Sequence, residues 1–503
     1  MKPSKLFLAA ILTVGGISAL ASCGGDNFNG LTINFWHTFG QTVAGGIETS
    51  AATFAKLVKE NEGVDLRIKL TYKGGYDDVL GEVGKSFSAG GNPTITVAYP
   101  DHVADYFAAE EKAGENYVVN LQPYAENATY GFGKEAWLGD KNGVDDFVES
   151  FIEESTNYAK DGMYSLPFLK STEIMLYNID LVQAALKIIE GGEPTVDDVN
   201  DYMKNLTWTE FMDFCQMIKE HMNEISPSLE VPAVYDSDGN LFVTQMYQQG
   251  IPYASLGTKT NSGVVDFDGR SEDASPEQKD AYNRTISFLK QYKQWFDKGY
   301  FTTKGVTGQY SSNYFAAASP KTMFAIGSCG GSGYSFPSSS EFKVGACKVP
   351  YNKHATYVSQ GPTLALLHNK KLVNAGTDDQ AVLYAWKFIK YLTNEDVNAA
   401  QCASNSEGYI PVRQSAYNTP AFTNFIKSDT DYVVVTKAVI EEVNGSYFSS
   451  PVFKGSAGLR KQCEGCFADV MKLKISKDAT DEQIENQIKG VLDRCISQAI
   501  IGM

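Results

Sequence analysis

A chain of 503 residues with 43% hydrophobic and 12% aromatic side chains carries enough apolar surface to fold, which excludes a disordered protein. Its 60 acidic against 43 basic residues leave a net charge of −17, a surface that repels phosphate backbones and excludes nucleic acid as a partner. The length exceeds one typical core, so two domains are expected.

The chain opens with Lys2 and Lys5, followed by a mostly apolar run, Leu6 to Leu20. At about 15 residues this run is shorter than the roughly 20 that span a bilayer as a helix, and it reads as a secretory signal covering residues 1–22. The next feature, Leu20-Ala21-Ser22-Cys23, resembles the lipobox of bacterial lipoproteins, where the chain is cut before an acylated cysteine. The resemblance implies a mature protein tethered to the cell membrane through lipidated Cys23. More than one acyl chain then gives a stable anchor. Residues 23–30 are a short glycine-rich linker. Losing Lys2 and Lys5 takes the net charge from −17 to −19. No second apolar run approaches spanning length.

From residue 31 the pattern alternates. LTINFW (31–36), LRIKLTY (66–72) and TITVAY (94–99) read as buried strands. Between them Ile47, Ala51, Phe54, Leu57 and Val58, then Val79, Leu80, Val83 and Phe87, fall at helix spacing. This β-α-β-α-β order predicts a parallel sheet, whose ligands bind at the carboxyl ends of the strands. Those ends are Trp36-His37-Thr38, Tyr72 to Tyr76 and Tyr99 to Asp101. SLPFLKSTEIMLYNIDLV (165–182) reads as a strand with a polar knot in it. LTWTEFMDFCQMIKEHM (206–222) reads as a helix opened by Thr207 or Thr209, and 277–301 as a long helix closed at Gly299. TMFAIG (322–327), KVGACKVP (343–350) and TLALLH (363–368) are strand candidates, and AVLYAWKFIKYL (381–392) a helix. A last helix starts at Thr480, with Gln483 completing a capping box. GSCGGSGYSFPSSS (327–340) fits either a linker or a site wall.

Chemistry is sparse. The five histidines form no metal spacing, no G-x-S-x-G elbow is present, and no cofactor is implied. Gly84-Lys85-Ser86 looks like the end of a phosphate loop, but the required first glycine is Val79 and the segment reads as mid-helix. Eight cysteines, seven after Cys23, make a poor disulfide framework. Cys463 and Cys466 have the spacing of a metal or redox pair without a second pair, and read as small buried residues. The enriched types are aromatic and polar, the flat faces and hydrogen-bonding groups that sugar rings need. The strand ends offer Trp36, Tyr76, Tyr99, Asp101, Ser171, Thr172 and Tyr409.

FWHTFGQ (35–41), YKGGYDDVL (72–80), GNPTITVAYPDHVADY (91–106), LPFLKSTEIMLYN (166–178), LTWTEF (206–211), SEGYIPVRQSAY (406–417) and FKGSAGLR (453–460) together resemble the type 1 extracellular solute-binding proteins. These are the ligand-capturing subunits of bacterial carbohydrate ABC importers, and the likeness is greatest to the glycerol-3-phosphate-binding branch. The resemblance implies a two-lobe α/β fold with a hinge and an interlobe cleft, closing on its ligand and docking on a membrane permease. The implied lobes are 31–167 with 354–417, and 168–353 with 418–503.

Residue by residue, the resemblance implies ligand contacts at Tyr76, Ser171, Ser328, Gly361 and Tyr409. Trp36 and His37 lie in the matching FWH run. Two positions depart: the branch's acidic residue falls at Pro100, beside Asp101, and its tryptophans are replaced around SDGNLF (237–242), where Asn240 is the polar candidate. Arg460 lies near the branch's phosphate-binding arginine. Loss of the tryptophans favours a sugar or oligosaccharide over glycerol phosphate or a glycerophosphodiester. The expectation is a monomeric binding protein and not an enzyme. A secreted glycosidase would need paired cleft carboxylates, and a surface adhesin would lack a cleft.

Overall fold

The computed structural model describes residues 28–258, 261–337, 342–405, 407–440 and 447–503, so the signal segment, the lipobox and Cys23 lie outside the described residues. In chain order the strands are β1 (Leu31–His37), β2 (Leu66–Tyr72), β3 (Ile95–Ala98), β4 (Leu166–Pro167), β5 (Glu173–Asn178), β6 (Ala233–Tyr235) and β7 (Ala254–Leu256). They continue as β8 (Gly263–Val265), β9 (Phe301–Thr303), β10 (Phe324–Ser328), β11 (Val344–Lys348), β12 (Tyr357–Val358), β13 (Thr363–Leu366) and β14 (Tyr447–Phe448).

Two five-stranded mixed sheets organise the chain into two α/β lobes, in the orders β2-β1-β3-β13-β4 and β11-β5-β10-β6-β9. In the first, β2, β1 and β3 are parallel, with Phe35 opposite both Leu70 and Ile95. β13 closes antiparallel on β3 and β4. Alternation along the strands splits this sheet's two faces. Ile33, Phe35, Ile95, Val97, Leu364 and Leu366 join one core with helices Gln41–Glu62 and Asp378–Leu392. Ala98, Ala365 and Leu367 join another, with helices Tyr76–Ala89 and Pro100–Ala113. The expected three-strand order and its helices are therefore present, and Gly84-Lys85-Ser86 sits mid-helix as read.

The stretch read as one strand over 165–182 is instead two short strands in different sheets. β4 belongs to the first and β5 to the second, and the helix begins at Ile179 because Asn178 accepts the Leu181 N–H and caps it. The polar knot is the crossing. Its backbone is tied on both sides: Lys170 exchanges hydrogen bonds with Ile410, and Ser171 with Gln360. In β5, Met175 and Tyr177 face the second lobe's core while Ile174 and Leu176 face the first.

The second lobe's remaining helices follow the capping signals. Thr207, not Thr209, caps Trp208–Glu220 with Glu210, and Thr480 caps Asp481–Gly502 with Gln483. That last helix packs Ile488, Val491, Leu492, Cys495 and Ile496 against helix Ser456–Lys472 and the second core. Among the described residues no helix is long and apolar enough to cross a membrane.

Candidate functional site

The carboxyl ends of β1, β2 and β3 open into a cleft of about 1210 Å³ between the two lobes. Two helix starts aim side chains into it. After β2 the chain turns through Gly74, at φ 89°, and the Gly75 N–H donates to Asp78 Oδ2 at 2.8 Å, starting a helix with Tyr76 first in line. After β3, Pro100 fits the first turn of the next helix and leaves Tyr99 at the rim. The Tyr76 and Tyr99 rings stack, 4.1 Å apart at 21°. Tyr409 hydrogen-bonds Tyr76, and burial pushes the Tyr99 hydroxyl up to about 12.

The facing wall comes from the second lobe. Ser237 accepts the Asn240 N–H at 3.2 Å and starts a helix that turns the Asn240 side chain to the cleft. Asn240 Nδ2 donates to Glu173 Oε1 at 3.3 Å, and the Tyr235 hydroxyl donates to Glu173 Oε2. Glu173 is 1% exposed and lines the cleft from β5. Burial pushes its carboxyl up to about 8, against the two hydrogen bonds that favour the anion. Asp236, beside it, accepts from the backbone N–H and hydroxyl of Ser311, and burial raises it too.

Helix Ser456–Lys472 brings Arg460 to the mouth. An Arg460 guanidinium nitrogen lies 2.9 Å from Asp101 Oδ2, and its plane sits 5.4 Å from the Tyr99 ring centre. Next to it, Gly455 N–H donates to Asp105 Oδ1 at 3.2 Å, and burial pushes Asp105 up to about 6. An adjoining chamber of about 290 Å³ shares Tyr99, Asn240, Gln360 and Arg460 with the cleft.

Of the residues expected at the site, Tyr76, Asn240, Ser328, Tyr409 and Arg460 line the cleft, and Asp101 and Gly361 line the adjoining chamber. Four do not line either cavity. Trp36 points to the other face of the first sheet, under the Lys73 ammonium at 3.9 Å. His37 is buried against Phe39, whose N–H it accepts at 3.2 Å. Thr172 is buried and donates to Val358 O at 3.0 Å. Ser171 stands behind the wall, its Oγ accepting from Ser328 at 3.3 Å.

The sequence reading missed Glu173, Asp236, Tyr310 and Tyr334. Glu173 stands directly after the Ser-Thr of the knot, which was the available signal. Tyr310 and Tyr334 are 52% and 75% exposed at the cleft's outer edge. Tyr334 belongs to the Ser/Gly stretch, whose residues 327–335 line the cleft in part, while 338–340 lie outside the described residues.

Among the described residues the lysines and arginine that line the cleft each have a contact: Arg460 with Asp101, Lys461 with Glu464 at 3.0 Å, and Lys304 over the Tyr310 ring at 3.8 Å. Among the described residues no group of three or more His, Cys, Asp or Glu is arranged to hold a metal ion.

A polar and aromatic cleft between two α/β lobes, joined by crossing segments that are hydrogen-bonded to one another, defines a two-lobe solute-binding protein. The chain belongs to the bacterial extracellular solute-binding protein family, whose profile matches residues 51–431. It is 22% identical over 418 residues to the sn-glycerol-3-phosphate-binding periplasmic protein UgpB of Shigella dysenteriae, covering 82% of this chain and 81% of that one. Its fold is similar to that of UgpB from Mycobacterium tuberculosis in complex with glycerophosphocholine, with a TM-score of 0.61, 18% identity, and 92% and 99% of the two chains covered. It is equally similar to the sugar-binding protein MalE from Xanthomonas citri, with a TM-score of 0.61, 16% identity, and 92% and 98% covered. The expected family and two-lobe fold are thus borne out. Arg460 lies beyond the segment that the profile matches.

Proposed function

We propose that the protein captures a neutral oligosaccharide in the interlobe cleft, outside the cytoplasm, and delivers it unchanged to the permease of an ABC importer. The observation that carries this reading is the charge of the cleft. Arg460 and Lys461 are held by acids and Lys304 lies over a tyrosine ring, while the Glu173 carboxyl is buried in the wall and Asp236 half-buried beside it. A phosphate entering here would find Arg460 and Lys461 already paired with carboxylates, Asp101 and Glu464, and would have to compete for them. A neutral ring instead finds stacked tyrosines, carboxyl, amide and hydroxyl groups. A cleft of about 1210 Å³ also exceeds the roughly 300–1,000 Å³ typical of small-molecule pockets, so a single sugar ring would underfill it.

Glycerol phosphate is the second reading, favoured by Arg460 at the mouth and by the name of the UgpB relatives. Thermal unfolding of residues 27–503 against sugars, oligosaccharides and glycerol-3-phosphate separates the two. Binding to the native state stabilises it by RT ln(1 + [L]/Kd), about 2.7 kcal/mol at a hundredfold excess over Kd. A shift with an oligosaccharide, recovered at unchanged mass, supports capture without turnover. A shift with the phosphate alone overturns the neutral-ligand reading.

The lobe boundaries near Pro167, Lys353 and Tyr417 fit a chain that leaves the first sheet after β4, returns at β13 and leaves again after helix Glu395–Asn405. Anchoring by Cys23 rests on the lipobox. Fatty-acid labelling that disappears in Cys23→Ser tests it. The monomeric state rests on the family resemblance and is read by sedimentation.

A further inference from the structure

Cys463 and Cys466 lie one turn apart on helix Ser456–Lys472, and Cys495 faces both from helix Asp481–Gly502. The sequence showed only the pair; the fold supplies the third thiol from thirty residues downstream. All three are buried, and Cys495 hydrogen-bonds both of the others. A guanidinium brackets this point of the last helix: Arg270 Nη1 donates to Asp493 O at 3.0 Å and also reaches the Ser497 hydroxyl.

We propose that Cys463, Cys466 and Cys495 form a dithiol redox site, in which Cys495 joins either member of the pair on reaction with a small-molecule disulfide. The two donated hydrogen bonds, and then the Arg270 charge, favour the Cys495 thiolate, and because Cys495 is 5% exposed the last helix must open locally to admit the disulfide. The Cys495 thiolate attacks one sulfur of the external disulfide, forms a mixed disulfide and expels a thiolate. Cys463 or Cys466, having lost its proton, then attacks the Cys495 sulfur and expels the second thiolate. The protein is oxidised by two electrons, the external disulfide is reduced to two thiols, and the protons lost by the protein balance those the leaving thiolates take up. The third cysteine stays a thiol and can exchange partners with the bonded one. The product ties the last two helices together, one turn beyond Arg460.

The test uses the full chain, cystine as the oxidant, and intact mass with peptide mapping after alkylation. The expected result is a loss equal to two hydrogens, with Cys495 linked to Cys463 in some molecules and to Cys466 in others. Cys463→Ala directs the bond to Cys466, and Cys466→Ala to Cys463. Cys495→Ser abolishes the loss. If Cys495→Ser fails to fold, the double variant Cys463→Ala/Cys466→Ala provides the check, and should stop at a stable mixed disulfide of Cys495 with one cysteine, the other cysteine of cystine having left as a thiolate. An unchanged wild-type mass, a bond between other cysteines, or a Cys463–Cys466 bond that survives Cys495→Ser overturns the proposal.

Discussion

Arg460 closes a 2.9 Å ion pair with Asp101 from the opposite side of the cleft, so one residue of each lobe neutralises the other at the mouth. Asp101 side-chain exposure is 15% and that of Arg460 is 37%. Breaking a fully buried pair costs about 3–5 kcal/mol, and solvent screening at a half-open site reduces this to roughly 1–2 kcal/mol. Arg460→Met is therefore expected to weaken sugar binding about tenfold, since 1.4 kcal/mol is one decade. Adding Asp101→Asn should recover part of the loss by removing the stranded charge. Calorimetric titration of both variants reads this directly. A double variant no better than the single one denies the pair its role.

Tyr76 stacks on Tyr99 and hydrogen-bonds Tyr409, so Tyr76→Ala removes a ring face and leaves a buried hydroxyl without its partner. The expectation is a loss of affinity above tenfold with the fold intact by circular dichroism. Ser171→Ala acts at one remove, through Ser328, and should cost only a few-fold. Equal losses in the two would contradict the placement of Ser171 behind the wall.

Tyr310 and Tyr334 line the cleft and are its most exposed tyrosines, so a long ligand that extends from the buried end at Tyr76 would reach them last. Tyr334→Ala is expected to weaken binding of the longest oligosaccharide that binds by several-fold, about 1 kcal/mol for a lost stacking face, and to leave monosaccharide binding unchanged. Affinities across a chain-length series decide it. A uniform loss at every length would place Tyr334 outside the site.

Glu173 makes stability depend on pH. Its carboxyl is held at about 8 in the folded protein against 4.5 as the ordinary value, so between those two values the native state holds a proton that the unfolded chain has released. Stability is therefore fully present below about pH 4.5 and is lost as pH rises towards 8, by up to about 1.4 kcal/mol per pH unit across that window. Glu173→Gln should flatten this slope in thermal unfolding curves recorded between pH 5 and 8. A slope unchanged by the substitution would mean that other groups, Asp105 and Asp236 among them, produce it.

Most of the first lobe was legible because parallel strands with short β-α loops leave a clean periodic trace. The same logic put the site at the strand ends but could not say which residue there faces the cleft. The strand's alternation turns Trp36 to the far face of the sheet and His37 into the core, while Tyr76 and Tyr99, at the starts of helices, point across. The second lobe's wall was harder to read. It is built from the loops around Tyr310 and Tyr334 and from Arg460, elements with no shared period and far apart along the chain. Glu173 was hidden in plain sight, because a carboxyl among Ser, Thr and apolar residues reads as a solvated position until burial and the Tyr235 hydroxyl are known.

Gly361 sits at φ 101°, and a Cβ there would lie 2.2 Å from Leu169 O. Gly361→Ala should destabilise the protein by about 1–3 kcal/mol. Chemical denaturation measures it, and a change within a few tenths would deny the close approach.

The pairing of Lys170 with Ile410 and of Ser171 with Gln360 has a mechanical consequence. Segments tied together by paired backbone hydrogen bonds resist sliding past one another but still flex together, as the pages of a bound book turn about one spine. Each lobe should then swing about a single axis through these three segments, with little torsion. Residues far from that spine travel furthest for a given angle, so closure brings little relative movement to the small chamber that Lys170, Gln360 and Gly361 share with Asp101 and Arg460.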